Sequence, residues 1–167
     1  DLLMLARTDD PAAVLPCEPV DLSAAVREAA GSLDDRARAA GLTLTVIVPD
    51  GLMVEAEAGR VRQLVRILLD NAIAYTPAGG SVTITAAAEK HGGRVTVRDT
   101  GIGIAPDDQS RVFDRFYRTD SSRTRASGGS GLGLAIARAL VEAYRGTVGL
   151  ESQPGVGTSV WFTLPQA

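Results

Sequence analysis

The segment Asp99-Thr100-Gly101-Ile102-Gly103-Ile104 follows directly on the strand-like run Arg94-Val95-Thr96-Val97-Arg98. It puts a carboxylate where a strand ends and turns the chain at two glycines. A carboxylate accepts a hydrogen bond from the exocyclic amine of adenine and offers nothing to the carbonyl that guanine carries there. Further along, Gly128-Gly129-Ser130-Gly131-Leu132-Gly133-Leu134 runs into the helix-like Ala135-Ile136-Ala137-Arg138-Ala139-Leu140-Val141. The free amides and positive end of such a helix suit phosphate. Gly129, Gly131 and Gly133, with Leu132 between them, are therefore candidate contacts for β and γ phosphates. Asn71 adds a neutral carboxamide oxygen that can hold Mg²⁺ while a triphosphate neutralises the ion. Together these residues imply an ATP site.

Each candidate also has a plainer reading. An isolated Asp-x-Gly caps its own turn. Gly101 and Gly103, with Ile104 beside them, are expected to let the backbone pass close to a base where a Cβ would intrude. Thr158, after Gly157, offers its hydroxyl to Asp99 and to adenine, or is an ordinary β-branched strand residue. Tyr75 shares a helical face with Asn71 and Ile67 through their spacing of four, so it either flanks a nucleotide or packs. Among Arg115, Arg118, Arg123 and Arg125, Arg118 is the preferred phosphate contact and the others are read as solvated charges. Residues 119–128 hold almost no apolar anchor and are expected to order over a bound ligand. Phe113 and Phe116 lie three apart and are expected to pack a short helical piece onto the core. His91 reads as a solvated turn residue.

These positions need a scaffold. Asp21 is suited to cap a helix from Leu22 to about Ala40, stopped by Gly41. Its apolar stripe is Leu22, Val26, Ala29, Ala30, Leu33 and Ala37. A strand is expected over Leu42 to Val48 and a shorter one over Leu52 to Val54. Val61, Leu64, Val65, Leu68, Leu69 and Ala72 give a second helix from about Gly59 to Tyr75 its buried face. Val82 to Thr85 and Arg94 to Arg98 read as a hairpin turning at Glu89-Lys90-His91-Gly92-Gly93. A third helix is expected from Leu132 to Tyr144, then strands over Thr147 to Ser152 and Thr158 to Leu164. The expected fold is an α/β two-layer sandwich, with a mixed, mainly antiparallel sheet of about five strands and three principal helices on one face. No Walker A lysine is present, and no G-x-G-x-x-G opens a strand–helix–strand unit.

Composition narrows the classes. The 167 residues are 45% hydrophobic and only 4% aromatic, which suits one domain with an Ala, Val, Leu and Ile core. A net charge of -3 argues against a general grip on nucleic acid. No apolar run approaches the ~20 residues that span a bilayer. The single Cys17 excludes an internal disulfide, and one His with one Cys makes no Cys/His zinc cluster. Residues 1–7 read as the end of a helix or as a short ordered tail, and Asp9 to Pro19, with three prolines, as a linker.

In this order the motifs resemble the catalytic and ATP-binding domain of bacterial two-component sensor histidine kinases, in the superfamily of gyrase, Hsp90 and MutL ATPases with its Bergerat-type fold. The family's N box is similar to Leu68 to Pro77, its first glycine box to Asp99 to Ile104, and its F box to Phe113-Asp114-Arg115-Phe116-Tyr117-Arg118. The second glycine box is similar to Gly129 to Leu134 and the last to Gly155-Val156-Gly157-Thr158. The resemblance implies ATP and Mg²⁺ as ligands, with Asn71 on the metal, Asp99 on adenine and residues 119–130 as a lid. It implies transfer of the γ-phosphoryl to a histidine on an upstream dimerisation domain, and from there to a response regulator. Residues 1–19 would then be the tail of the dimerisation region and a linker, and 20–167 the catalytic domain. It also implies a cytoplasmic domain whose parent protein is anchored in the inner membrane. Three positions depart from the pattern: Ile67 replaces a usual asparagine, Ala74 a usual lysine, and Tyr144-Arg145-Gly146 a common His-Gly-Gly. The first two remove polar contacts at the metal–phosphate end, implying weaker affinity or transfer. Two alternatives stay open: a nucleotide-gated interaction domain with little or no phosphotransfer, and a serine kinase of the anti-sigma type.

Overall fold

The computed structural model describes Leu3, Ala6 and residues 15–119 and 131–167. Gly129, residues 120–130 of the lid expected at 119–130, and most of the expected N-terminal tail lie outside the described residues. The described chain starts with strand β1 (Glu18–Asp21), helices α1 (Leu22–Gly31) and α2 (Asp34–Ala39), strands β2 (Thr43–Ile47) and β3 (Met53–Ala56), and helix α3 (Ala58–Tyr75). It continues with β4 (Ser81–Glu89), β5 (Gly92–Asp99), α4 (Pro106–Gln109), α5 (Gly133–Ala143), β6 (Val148–Gln153) and β7 (Gly157–Pro165).

Five strands form one sheet in the order β2-β4-β5-β7-β6. Only β2 and β4 run parallel, and the other three pairings are antiparallel. Alternation along the strands sets the two faces. Val82 and Ile84 of β4, Val95 and Val97 of β5, and Val160, Phe162 and Leu164 of β7 are buried against the helices. From the helical side, Val61, Leu64, Val65, Leu68, Leu69, Ala72 and Ile73 of α3 meet them. Fully burying each such side chain contributes about 1.5–3 kcal/mol, so this contact dominates the core. Trp161 lies on the opposite face, with the Arg94 guanidinium 4.1 Å above its ring. The layered architecture is the one expected, with α1, α3 and α5 as its principal helices. Among the described residues no helix is long and apolar enough to cross a membrane.

Three expectations need correction. The helix foreseen from Leu22 to Ala40 is broken at Ser32 and Leu33. Ser32 Oγ donates to the Ala29 carbonyl at 2.7 Å, a local side-chain bond that competes with helix continuation. The break still leaves Leu33 and Ala37 buried, and Gly41, at φ +75°, ends the second piece as expected. The linker foreseen up to Pro19 already contains a strand, since Glu18 to Asp21 pair antiparallel with Ala56 to Met53. Pro19 is tolerated because this two-stranded sheet consists only of edges. The β4–β5 hairpin is also longer than foreseen: its strands run to Glu89 and from Gly92, leaving Lys90-His91 as the loop.

Candidate nucleotide site

Strands β5 and β7 pair so that Asp99 stands opposite Thr158. Asp99 is 8% exposed, and its Oδ1 accepts the Gly101 amide at 2.8 Å and the Thr158 amide at 3.2 Å. Both bonds fall on one oxygen, which leaves Oδ2 for a ligand. Burial pushes the Asp99 carboxyl above its ordinary value, while the two amides pull the other way. The Thr158 hydroxyl was expected on Asp99. Instead it lies 2.7 Å from Ser152 Oγ.

The two glycines of this turn are required by the fold itself. A Cβ at Gly101 would stand 2.4 Å from the Tyr75 carbonyl oxygen. At Gly103, where φ is +72°, it would stand 2.2 Å from the Gln153 carbonyl oxygen. Close approach of protein backbone therefore requires a missing side chain at both positions. The Ile102 amide donates to Tyr75 at 3.2 Å and its carbonyl accepts from Gly155 at 2.8 Å, which packs the turn between the end of α3 and the β6–β7 turn.

A cavity of about 350 Å³ brings together Asn71, Tyr75, Asp99, Gly103, Ile104, Arg118, Gly131, Leu132, Gly133 and Thr158. Gly101 stays behind the wall, on the Asp99 carboxylate. Apolar residues that sequence reasoning did not single out complete the wall, notably Val97, Ile102, Val112 and Val160. They suit the faces of a flat heterocycle. Half-buried Asn71 reaches the cavity from α3. Among the described residues no side chain caps the N-terminus of α5, and the first-turn amides of a helix suit an anion. Gly131, at φ +75°, receives the Phe116 amide on its carbonyl at 3.1 Å.

The stretch from Phe113 to Phe116 is a series of turns, followed by irregular chain at Tyr117 and Arg118, not the short helix expected. Phe113 packs partly on the core, but Phe116 is 60% exposed with φ at +61°, so only one of the two phenylalanines anchors. Tyr117 and Arg118 line the cavity. The Tyr117 hydroxyl donates to Asp108, and the Arg111 guanidinium sits 4.4 Å from the Tyr117 ring centre, a cation–π contact. His91 is exposed in the hairpin loop, as expected. Among the described residues, no three of His, Cys, Asp and Glu are grouped to hold a metal.

Residues 56–167 match the family described as histidine kinase-, DNA gyrase B-, and HSP90-like ATPase. The chain belongs to this family. Within it, the chain is 39% identical over 165 residues to the signal transduction histidine-protein kinase BaeS of Escherichia coli, covering 99% of this chain and 35% of that protein. It is 38% identical over 168 residues to the sensor-like histidine kinase SenX3 of Mycolicibacterium smegmatis, covering 99% of this chain and 43% of that protein. The crystal structure of full-length ShkA in complex with AMPPNP superposes with a TM-score of 0.87 at 36% identity, over 99% of this chain and 34% of that one. The chain thus spans well under half the length of these relatives and corresponds to their catalytic, ATP-binding module. That placement agrees with a cavity that joins a buried acid, a helical carboxamide and an open helix N-terminus.

Of the departures noted in the sequence, Ile67 falls on this cavity, whereas Ala74 and residues 144–146 are not among the residues that line it. Ile67, one turn before Asn71, forms part of the wall. A Cβ at Gly133 would lie 3.5 Å from its Cγ2, so the side chain packs against the start of α5. An apolar group thereby occupies the neighbourhood of Asn71 where the resemblance implied an amide.

Proposed function

We propose that this domain binds Mg²⁺-ATP in the cavity and donates the γ-phosphoryl to a histidine of an upstream dimerisation domain in its parent protein. The observation that carries this reading is that Asp99 and Asn71 line one cavity with the first turn of α5. Asp99 Oδ2 would accept the adenine amine, with Thr158 and Ile104 beside the ring and Tyr75 on its flank. The α5 amides at Leu132 and Gly133, with Gly131 and Arg118, would hold the phosphates. Asn71 fits a magnesium ion because such an ion keeps several waters and takes most other ligands from phosphate oxygens. When bound, that ion would supply neutralisation of the phosphate charge, with Asn71 helping to hold it.

The reaction breaks the bond between the γ-phosphorus and the β–γ bridging oxygen and forms one to an imidazole nitrogen, leaving ADP. This chain's residues act by orientation and charge neutralisation. The phosphoryl group would pass next to an aspartate of a response regulator. Membrane anchoring would belong to the parent protein, outside this domain.

Incubating the domain with the separately prepared dimerisation domain of its parent and γ-labelled ATP tests the reading. Label on histidine supports it, and label on serine points to a kinase of the anti-sigma type. Nucleotide binding without transfer supports the second reading, a nucleotide-gated docking domain, which the apolar Ile67 beside Asn71 favours.

A further inference from the structure

Ile104 lines the cavity, yet both of its main-chain groups are held by side chains that line no part of it. Ser152 Oγ, on β6, accepts the Ile104 amide at 2.8 Å. Gln109, the last residue of α4, donates Nε2 to the Ile104 carbonyl at 2.9 Å and to the Ser152 carbonyl at 3.0 Å. The Ser152 hydroxyl also lies 2.7 Å from Thr158 Oγ1 and 3.1 Å from the Gly157 carbonyl oxygen. One serine and one glutamine therefore bind the first glycine turn, the end of β6 and the start of β7 into a single unit. That unit carries Ile104 and Thr158 as well as the amide that Thr158 gives to Asp99.

We propose that Ser152 and Gln109 are positioning residues for the purine, fixing Ile104 and Thr158 in the binding geometry before a ligand arrives. The proposal rests on the reading of the cavity as an adenine nucleotide site. Backbone amides and carbonyls must find partners. A loop whose only such partners are solvent populates several conformations. Apparent affinity then falls in proportion to the competent fraction. Here Ile102 is already tied by main-chain bonds to Tyr75 and Gly155. Ile104 and the Gly103 hinge before it are the part of the turn whose geometry depends on the two side chains.

Neither side chain lines the cavity, so the effect of losing one has a distinctive form. It falls on the adenosine portion that every adenine nucleotide shares, and it leaves discrimination between phosphate chain lengths unchanged. A residue at the phosphate end changes that discrimination instead.

The test is titration calorimetry with ADP and AMPPNP on the wild-type domain, Ser152→Ala, Gln109→Ala and the isosteric Gln109→Glu, together with hydrogen exchange at the Ile104 amide without nucleotide. Each variant is expected to weaken both nucleotides by the same factor, about 3- to 10-fold, the range for losing the bond to Ile104. Gln109→Glu should lose at least as much as Gln109→Ala, because a carboxylate faces two carbonyls where an amide donated to both. Ile104 exchange should quicken roughly tenfold in Ser152→Ala. Wild-type affinity in the Gln109 variants overturns the proposal even if Ser152→Ala fails to fold. So does a fall in melting temperature with unchanged affinity in the folded protein. A wild-type domain that binds neither nucleotide overturns the reading of the cavity, a distinguishable failure.

Discussion

Asp99 receives the Thr158 amide on Oδ1 at 3.2 Å across the β5–β7 pair, while the Thr158 hydroxyl turns away to Ser152. The carboxylate is therefore anchored through one oxygen, and its burial is a standing cost to the folded state. An acid whose value is raised by burial stabilises the fold below its ordinary value of 3.8 and loses that contribution as pH rises through the raised value.

Asp99→Asn follows from that sign. The asparagine Oδ1 keeps both amide bonds and removes the buried charge, so the nucleotide-free domain should be at least as stable as the wild type at neutral pH. Its stability should also change less between pH 4 and pH 7, roughly the range from the ordinary carboxylate value upward. Binding moves the other way: loss of a charged acceptor for the adenine amine should weaken ATP by about 10- to 150-fold. Urea denaturation at several pH values and calorimetry with ATP check the two halves. An Asp99→Asn domain that loses stability and keeps its affinity contradicts the assignment.

Arg145 shows how a departure from the family pattern becomes a backbone problem. The Arg145 amide donates to the Glu142 carbonyl at 2.9 Å and the Gly146 amide to Val141 at 2.8 Å. This paired closure ends α5 as a Schellman motif. The motif puts Arg145 at φ +61°, the position for which the resemblance implies glycine. Left-handed backbone costs about 1–2 kcal/mol for a residue with a Cβ, partly offset by the greater chain entropy of an unfolded glycine. Arg145→Gly should therefore stabilise the domain by about 0.5–1 kcal/mol, read as a higher urea midpoint with unchanged slope. Gly146→Ala should do the reverse, since its Cβ would stand 1.9 Å from the Thr163 carbonyl oxygen.

The contrast between Asp99 and Ser152 explains what the sequence made legible. Asp99, its glycines and the turn before α5 announce themselves by residue type over a few positions, as did the stripe on α3. Ser152 and Gln109 give no such signal. Their bonds to Ile104 span 48 and 5 residues, and each goes to main chain, which has no residue type to read. The glycines were legible as required, but only the fold shows that Tyr75 and Gln153 crowd them. The break at Ser32 was hidden because the apolar stripe continues through it, and Leu33 and Ala37 stay buried on both sides of the kink. Strand β1 was hidden by Pro19, which argues against a strand everywhere except at an edge.

Asn71→Ala separates the two ends of the cavity. A carboxamide that holds the metal contributes only to ligands bearing the metal–phosphate group, so AMP affinity should stay within about twofold of wild type. The gain in AMPPNP affinity on adding Mg²⁺ should fall by about 3- to 10-fold, the range for one lost ligand bond of neutral type. Calorimetry with and without the ion measures both. An equal loss for AMP and AMPPNP would assign Asn71 to packing.

Ile67→Asn tests the departure nearest to Asn71. The side chain is half-buried in the cavity wall against the start of α5, so replacing it by a polar group forfeits apolar burial and should destabilise the domain by about 1–2 kcal/mol. The new carboxamide would stand one helical turn from Asn71, on the same face of α3, and add a second neutral oxygen beside the metal–phosphate end. The expected outcome is a less stable domain with several-fold faster phosphotransfer to the dimerisation domain and a stronger Mg²⁺ dependence of AMPPNP binding. Lower stability with no gain in either readout would mean that Ile67 serves the wall alone and that the apolar substitution does not limit the reaction.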